Sequence, residues 1–449
     1  MKHIILLITI LLFFAYTTKA QQDSSFSFSL KQAKDYAVKH NTNILNAQID
    51  AIIAKKKIWE TTAIGLPQVS GSVQHQYFID IPVTLIPAQI FNPQAPAGSY
   101  MEMKFGTDNN TKAGLNISQL IFSGEYIVGL QASKIFSKLS KQNLQKSEID
   151  IKEQITNTYN LILFAKKNKE IIDSNIVYTE DIIKQTKEIL KQGFIDQTKL
   201  DQLNLNLTNL KNTLNSINKQ IEITKNLLKI QLGIDINSNL TLTDNYSNIF
   251  NISDLQALSS NNIDITNQID YQILNTQEHL QGLNVKRKKA TFLPQISAFY
   301  NHQESLMNND FLVFDKSATW YHSNLIGVNI NIPIFSSGMR LSQVSQENLM
   351  LEKIRNSKKL LEKNLSIAVI QAKIELSNNI NTYNQQLANV KLSKKILDNN
   401  KIKYKNGTIT SLEFTQALIQ NISAQQQLNK TIFDLINSQT KLNKILGTI

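Results

Sequence analysis

The sequence predicts a mostly α-helical protein with a transmembrane β part, built as two similar halves. Two stretches of equal length, from Gly124 to Gly193 and from Gly338 to Gly407, contain no proline, and the first shows helical spacing of its apolar residues. Ahead of each stretch, polar and apolar residues alternate with a period of two, as they do in strands. Short motifs recur in the same order in both halves. These observations predict duplicated halves of helix, strand, strand, long helix and helix.

Residues 1–20 are typical of an export signal. Lys2 supplies a positive charge, residues 4–14 are almost all apolar, and small residues precede Gln21. The apolar run is too short to span a bilayer as a helix. We expect Gln21 to be the mature N-terminus, with a retained membrane anchor as the alternative. Because the chain has no cysteine, we expect no disulfide, no cysteine-based metal site and no thioether-linked lipid.

The stretch from Gly124 to Gly193 is predicted to be one long helix. Its apolar residues step by intervals that suit one helix face: Ile151, Ile155, Ile162, Ile172, Ile176, Ile183 and Leu190. At the usual rise per residue, such a helix is roughly 100 Å long. A compact globular core does not require a helix of this length, so the length itself indicates a function.

Three motifs carry the internal repeat. Residues 63–70 resemble residues 290–297, and both copies contain Leu-Pro-Gln. Gly114-Leu-Asn-Ile recurs as Gly327-Val-Asn-Ile, and the last helix of each half ends on Leu-Gly. Agreement in both order and spacing indicates a duplication.

The duplication sets the predicted boundaries. The first repeat covers residues 21–233, with a helix near 30–63, strands near 67–82 and 111–122, a long helix over 124–192 and a helix over 196–232. The second repeat covers residues 266–449, with a helix near 266–290, strands near 294–303 and 319–333, a long helix over 338–406 and a helix over 411–446. The Asn-, Ser- and Asp-rich segment 234–265 is predicted to be an irregular connection between the repeats.

The helix that follows each long helix carries an apolar stripe with coiled-coil spacing. The stripe in the first half comprises Leu200, Leu203, Leu207, Leu210, Leu214, Ile217 and Ile221. The stripe in the second half has smaller residues: Phe414, Ala417, Asn421, Ala424 and Leu428. Such stripes predict packing against a neighbouring helix rather than a ligand site.

The predicted strands alternate apolar and polar side chains. Alternation over about ten residues is typical of strands that face lipid on one side and a polar interior on the other. An antiparallel sheet packed on a soluble core has the same pattern and is the alternative. Export without a lipid anchor, and long helices without a compact core, favour the membrane sheet. The predicted lipid-facing residues are Val69, Val73, Tyr77, Leu115, Ile117, Ile296, Val328 and Ile330.

Four strands are too few to close a barrel in lipid. An open sheet edge leaves backbone groups without hydrogen bonds, and the smallest single-chain barrels have about eight strands. Several identical chains must therefore pool their strands, and their helices then assemble as well. Both two and three copies satisfy this requirement, and the periodicity does not choose between them.

Composition argues against nucleic acid binding and against catalysis. The net charge of +12 does not predict a nucleic-acid partner, because an exported chain rarely meets nucleic acid and no basic motif interleaved with aromatic residues is present. The basic clusters 55–57 and 286–289 precede strands, where they fit either lipid headgroups or a solvated helix face. The sequence has no phosphate-binding loop, nucleophile motif or histidine metal motif. We therefore expect no enzyme activity, no cofactor and no metal.

The order and spacing of these features resemble the TolC family of outer-membrane efflux and secretion channels. The resemblance rests on the Leu-Pro-Gln strand starts, the Ile-Phe-Ser segments before the long helices and the glycine turns after them, and it covers nearly the whole mature chain. It implies a homotrimer whose 12 strands form one β-barrel in the outer membrane, continuous with a long periplasmic α-helical barrel. It also implies a periplasmic adaptor and an inner-membrane pump of the RND or ABC type as partners.

The resemblance also implies a docking role for the two turns that follow the long helices. The residues expected to dock the adaptor are Gly193, Phe194 and Thr198 in the first turn and Gly407, Thr408 and Ile409 in the second. Glycine at such a turn permits the left-handed conformation that ends a helix.

A periplasmic gate, or pore constriction, is implied just beside the second turn. The resemblance places Glu413, Tyr404 and Gln416 there, and three Glu413 carboxylates would form an anionic ring. Because Ile409 stands where a family member has arginine, a tyrosine-arginine gate network is not expected. Thr410 and Glu413 also fit a capping box, so Glu413 serves either ion selectivity or only the helix cap.

The sequence therefore predicts a passive, gated exit duct of a tripartite efflux or type I secretion system, driven by the pump through the adaptor. The competing class is a non-channel coiled-coil protein of the envelope, either structural or itself an adaptor. An adaptor would have one helical hairpin flanked by compact β-domains, whereas this chain has two long helices and four alternating strands. The sequence does not say whether the exported substrate is a drug, a metal ion or a protein.

Overall fold

The computed structural model describes residues 25–193, 195–244, 255 and 264–447. The predicted signal peptide and Phe194 lie outside these residues. The chain divides into two compact units, which are described separately. The helical unit contains the described residues up to 50, residues 140–274 and those from 357 onward, and the strand unit contains residues 51–139 and 275–356.

The elements are as follows. In chain order they are β1 (Ser25–Phe28), α1 (Leu30–His40), α2 (Thr42–Ile64), β2 (Gln68–Tyr77), β3 (Val83–Pro87), β4 (Tyr100–Lys104), β5 (Asn109–Ser123), α3 (Gly124–Lys191), α4 (Gln197–Leu232), β6 (Asn239–Leu242), α5 (Ile269–Ala290), β7 (Gln295–Asn308), β8 (Tyr321–Asn331), α6 (Met339–Lys405) and α7 (Ser411–Leu446). Short 3-10 turns cover Ala88–Ile90 and Ile265–Asn267. The long helices α3 and α6 contain 68 and 67 residues.

The single helix predicted near 30–63 is instead two helices that meet at Asn41. Asn41 has an extended backbone, and its side-chain oxygen accepts hydrogen bonds from the backbone N–H groups of Asn43 (2.9 Å) and Ile44 (3.3 Å). Its side-chain amide donates to the carbonyl oxygen of Gln231 at 2.7 Å. Asn41 thus caps the start of α2 and ties the junction to the end of α4, which is why the helix breaks at this residue.

One core cluster of the helical unit is built from the predicted stripes. Leu203 and Phe414 have no exposed surface, and Leu200, Leu210 and Ala417 are also buried. These residues form one cluster with the isoleucines of α3 between Ile171 and Ile183. The spacing of three and four residues therefore places these side chains on one face of each helix, where they contact neighbouring helices of the same chain.

The connection predicted to be irregular over 234–265 contains a strand. Strand β6 pairs in parallel with β1, with Ser25 opposite Asn239 and Phe28 opposite Leu242. The Tyr159 hydroxyl donates to the carbonyl oxygen of Phe28 at 3.0 Å and fixes this small sheet to α3. The pairing joins segments far apart in the sequence, so local composition did not indicate it. Residues 245–254 and 256–263 of the connection lie outside the described residues.

The strand unit contains an antiparallel sheet with the order β2-β5-β7-β8. The strand predicted near 67–82 ends at Tyr77, and the proline-rich loop that follows contains the hairpin β3–β4. The prolines of this loop occupy hairpin ends and turns, positions at which the missing N–H does not break a ladder. Strand β5 pairs with β7 across the repeat boundary, so both halves of the sequence share one sheet.

Candidate functional site

One face of the main sheet carries all the predicted apolar residues. The same face also carries His75, Thr111, His302, Glu304, His322 and Asn324. The strand register places Val69 opposite Ile117, Ile117 opposite Tyr300 and Tyr300 opposite Ile326. Paired residues point to the same side of a sheet, and so do residues two apart on a strand. By this rule all eight residues predicted to face lipid share one face, even though they come from four strands: Val69, Val73, Tyr77, Leu115, Ile117, Ile296, Val328 and Ile330. Within the single chain, Val73 is 78% exposed and Val328 is 64% exposed.

The other face of the same sheet is polar. Its positions are mainly serine, asparagine and glutamine, and they include Gln68, Ser70, Ser72, Gln74, Asn116, Ser118, Ser297, Asn301, Gln303 and Asn329. Phe299 is an exception, and its ring lies against Gly327, where a Cβ atom would be 2.7 Å from the ring. A sheet with an exposed apolar face and a polar opposite face suits a wall between lipid and water.

The sheet is open at both sides. Among the described residues, β2 and β8 each have one strand neighbour and therefore one free edge. Free backbone groups in hydrocarbon carry a large free-energy cost, and natural sheets cover or pair their edges. The apolar face and the free edges together require a partner strand on each side if the sheet lies in a membrane.

The two turns after the long helices have closely similar geometry. Gly193 and Gly407 have φ values of 79° and 69°, the left-handed conformation that ends a helix. The Gly407 N–H donates to the Tyr404 carbonyl oxygen at 3.0 Å, and the Thr408 N–H donates to that of Lys403 at 2.9 Å. Both Thr198 and Thr408 are exposed. The docking role of these turns remains a prediction.

Glu413 forms a capping box with Thr410 at the start of α7. Its carboxylate accepts hydrogen bonds from the Thr410 backbone N–H at 2.7 Å and from the Thr410 hydroxyl at 3.0 Å. The backbone hydrogen bond, followed by that of the hydroxyl, lowers the pKa of Glu413 below its ordinary value. Glu413 and Gln416 are both exposed and lie one helical turn apart. Glu413 therefore offers a carboxylate that stays ionised.

Two of the predicted site residues, Tyr404 and Ile409, contact a core cluster of the helical unit, and their gate and docking roles remain predictions. Tyr404 is buried, its hydroxyl is 2.9 Å from that of Thr186 on α3, and its ring stacks on Phe414 at 5.1 Å. Ile409 packs partly against the same core. Both side chains are drawn into this core by apolar contact, so in the single chain the Tyr404 ring lines no open surface. Sequence reasoning missed Thr186, because a threonine inside a long helix carries no distinguishing signal.

The described part of the chain contains neither a helix that could span a bilayer nor a metal-binding cluster. No helix among the described residues is long and apolar enough to cross a membrane. No cluster of three or more His, Asp or Glu side chains in the described ranges is arranged to hold a metal ion.

The second repeat matches a known protein family. Residues 278–448 match the family model described as outer membrane efflux protein, and this range begins within α5 and includes all of α7. The match confirms the family resemblance inferred from the sequence. No curated protein sequence matches the chain.

Solved structures resemble nearly all of the chain and not only residues 278–448. CusC is 16% identical with a TM-score of 0.74, over 96% of this chain and 95% of that one. The outer membrane protein VceC from Vibrio cholerae is 14% identical with a TM-score of 0.69, over 93% and 96%. The CmeC outer membrane channel from Campylobacter jejuni is 19% identical with a TM-score of 0.71, over 96% and 90%. Identities this low show a shared fold, which confirms the mostly helical class with its strand part.

Proposed function

We propose that this chain is the outer-membrane exit duct of a tripartite efflux or type I secretion system. The observation that carries the proposal is the sheet, with eight predicted apolar positions on one face, polar residues on the other and a free edge on each side. A wall of this kind has to be completed by further copies of itself in lipid. The family match and the fold support the same class of protein.

The proposed assembly is a homotrimer in the outer membrane. Three copies supply 12 strands, four from each chain, which is enough to close a barrel. The long helices α3 and α6 and their partners form the periplasmic helical barrel. The duct itself is passive and not an enzyme. An inner-membrane pump of the RND or ABC type drives transport, and a periplasmic adaptor joins the two proteins.

The proposal is tested by reconstituting the purified protein into planar lipid bilayers. A duct produces discrete, reproducible current steps, whereas an envelope coiled-coil protein or an adaptor produces none. A protein that stays soluble without detergent and adds no conductance to the bilayer would support that competing class.

The proposed Glu413 ring predicts a cation preference that persists at low pH. A glutamate whose pKa is lowered keeps its charge as the pH falls through the ordinary glutamate pKa, about 4.3, and loses it only at lower pH. The hydrogen bonds that the Glu413 carboxylate makes in the helix cap stabilise the folded chain at higher pH. This stabilisation is lost as the pH falls through the lowered pKa of Glu413. The Glu413→Gln variant is expected to lose most of the cation preference at every pH, as measured by the reversal potential.

Gln416→Glu is the matched control for the charge ring. It adds a carboxylate one turn away on the same exposed helix face, so cation preference is expected to increase. If Glu413→Gln leaves selectivity unchanged while Gln416→Glu changes it, Glu413 acts only as a helix cap.

Docking at the turns is tested by site-specific crosslinking. The chain has no cysteine, so Thr408→Cys and Thr198→Cys each introduce a unique thiol on an exposed turn residue. Both are expected to crosslink to one periplasmic protein with a helical hairpin. Lys394→Cys, exposed on α6 away from the turn, is the control and is expected to give little of that product. Equal yields from all three positions would contradict docking at the turns.

A further inference from the structure

The strand unit contains a pocket that the proposed duct function does not explain. Its volume is about 620 Å³, and it lies among the end of α2, the start of α3 and the end of α5. Residues from the adjoining ends of β5 and β7 complete its wall. The volume falls within the range of roughly 300–1,000 Å³ typical of small-molecule sites.

The two basic clusters of the sequence both contribute to this pocket. Lys57 comes from the first cluster and Arg287 from the second, and both side chains line the wall. Of the two acidic residues in the wall, Glu60 is paired with Lys57 at 2.6 Å, and Glu125 lies exposed in the first turn of α3. Among the described residues, Arg287 is the cation of the wall without a paired carboxylate, and Glu125 is the carboxylate of the wall without a paired cation.

Arg287 has a donor without an acceptor. Among the described residues, its Nε atom is shielded from solvent and makes no hydrogen bond. Its Cδ atom lies 4.0 Å from the point that a Cβ atom on Gly129 would occupy, so the arginine stem passes close over a residue without a side chain. Arg287 also lines the pocket, and a guanidinium fork suits the oxygens of an acid group.

The rest of the wall is mostly apolar. Ile64, Phe136 and Leu280 reach the pocket from three different helices, and Leu120 reaches it from β5. One unsatisfied cationic donor beside an apolar wall matches a molecule with one acid group and a hydrocarbon body. We propose that this pocket binds an amphipathic organic anion. Its acid group accepts from Arg287, and its hydrocarbon part packs on the apolar side chains.

The sheet residues of the pocket wall belong to the polar face of the sheet. Leu120 is paired with Ser297 and Ser123 is paired with Gln295, and these positions belong to the polar face. The assignment of this side to the lumen rests on the proposed function, whereas anion binding itself does not. In a duct, amphipathic organic anions would bind here as they pass, which makes them a class of exported substrate.

The test is equilibrium dialysis with the full-length oligomer in amphipol. The probe is naphthalene-2-sulfonate, compared with a naphthyl-trimethylammonium ion of similar size and with inorganic sulfate. The sulfonate is expected to saturate at one per chain, with weaker binding of both comparison ions. Arg287→Gln is expected to weaken sulfonate binding by about tenfold or more. Lys286→Gln, which neutralises the exposed neighbour, is the matched control and is expected to leave binding unchanged.

A second variant keeps the test independent of the arginine. Thr61→Phe narrows the pocket without changing its charge, and it is also expected to weaken sulfonate binding. Equal binding to the unmodified protein, Arg287→Gln and Thr61→Phe would overturn the proposal, and so would equal binding of the ammonium probe. Bilayer conductance is recorded on the same samples. Saturable sulfonate binding without conductance would refute the duct function and support the anion-binding pocket. Conductance without sulfonate binding would support the duct function and refute the anion-binding pocket.

Discussion

Replacing Val328 by arginine is expected to abolish stable assembly in the outer membrane. Val328 is 64% exposed in the single chain, on the apolar face of β8, directly opposite Ala298. An arginine on the lipid face costs about 2–4 kcal/mol near the bilayer midplane, and a homo-oligomer carries it once per chain. Oligomer yield, measured by gel shift of unheated outer-membrane fractions, is expected to fall by about tenfold or more.

The neighbouring residue supplies the matched control. Asn329 is next to Val328 on the same strand but lies on the polar face, opposite Ser297. Asn329→Arg adds the same side chain at nearly the same depth, and it is expected to assemble with near-normal yield. If Val328→Arg assembles and Asn329→Arg does not, the two faces of the sheet are assigned the wrong way round.

Replacing Gly233 by alanine is expected to destabilise the helical unit strongly. Gly233 ends α4 with a φ of 75°, and a Cβ atom there would lie 2.3 Å from the carbonyl oxygen of His40 and 2.9 Å from its carbon. The left-handed conformation costs alanine about 1–2 kcal/mol, and displacing packed backbone adds about 1–3 kcal/mol. The midpoint of thermal unfolding, followed by helical circular dichroism, is expected to fall clearly.

Gly447 separates the two causes of that destabilisation. It ends α7 with a φ of 73°, the equivalent position of the second repeat. Among the described residues, apart from its chain neighbours and its own helix, no atom lies within 4 Å of its added Cβ. Gly447→Ala is therefore expected to show only the cost of the left-handed backbone. Equal losses in the two variants would mean that the contact with His40 does not contribute.

Periodic features of the sequence gave the most reliable guide to local structure. A period of two placed residues such as Val69 and Ile330 on one face of one sheet, because side-chain direction in a strand is fixed by the backbone pleat. Three- and four-residue steps placed Leu203 and Phe414 in a core for the equivalent reason in helices. The Thr410–Glu413 capping box was also readable, since it involves residues only three apart.

Features that depend on distant partners could not be read from the sequence. The break at Asn41 involves Gln231, the strand β1 requires β6, and the Tyr404 hydroxyl meets Thr186. None of these pairs leaves a local pattern, because each partner is an ordinary residue in its own segment. The pocket at Arg287 belongs to the same class, since it needs three helices and two strands to form.

We propose that several identical chains share one wall around a common passage. A cryo-electron microscopy reconstruction of the detergent-purified particle decides this. We expect three chains of 50.9 kDa or slightly less after signal removal, related by threefold symmetry, with β2 of each chain paired to β8 of the next around a continuous central channel. A single-chain particle, or an oligomer whose strands enclose no passage, would contradict it.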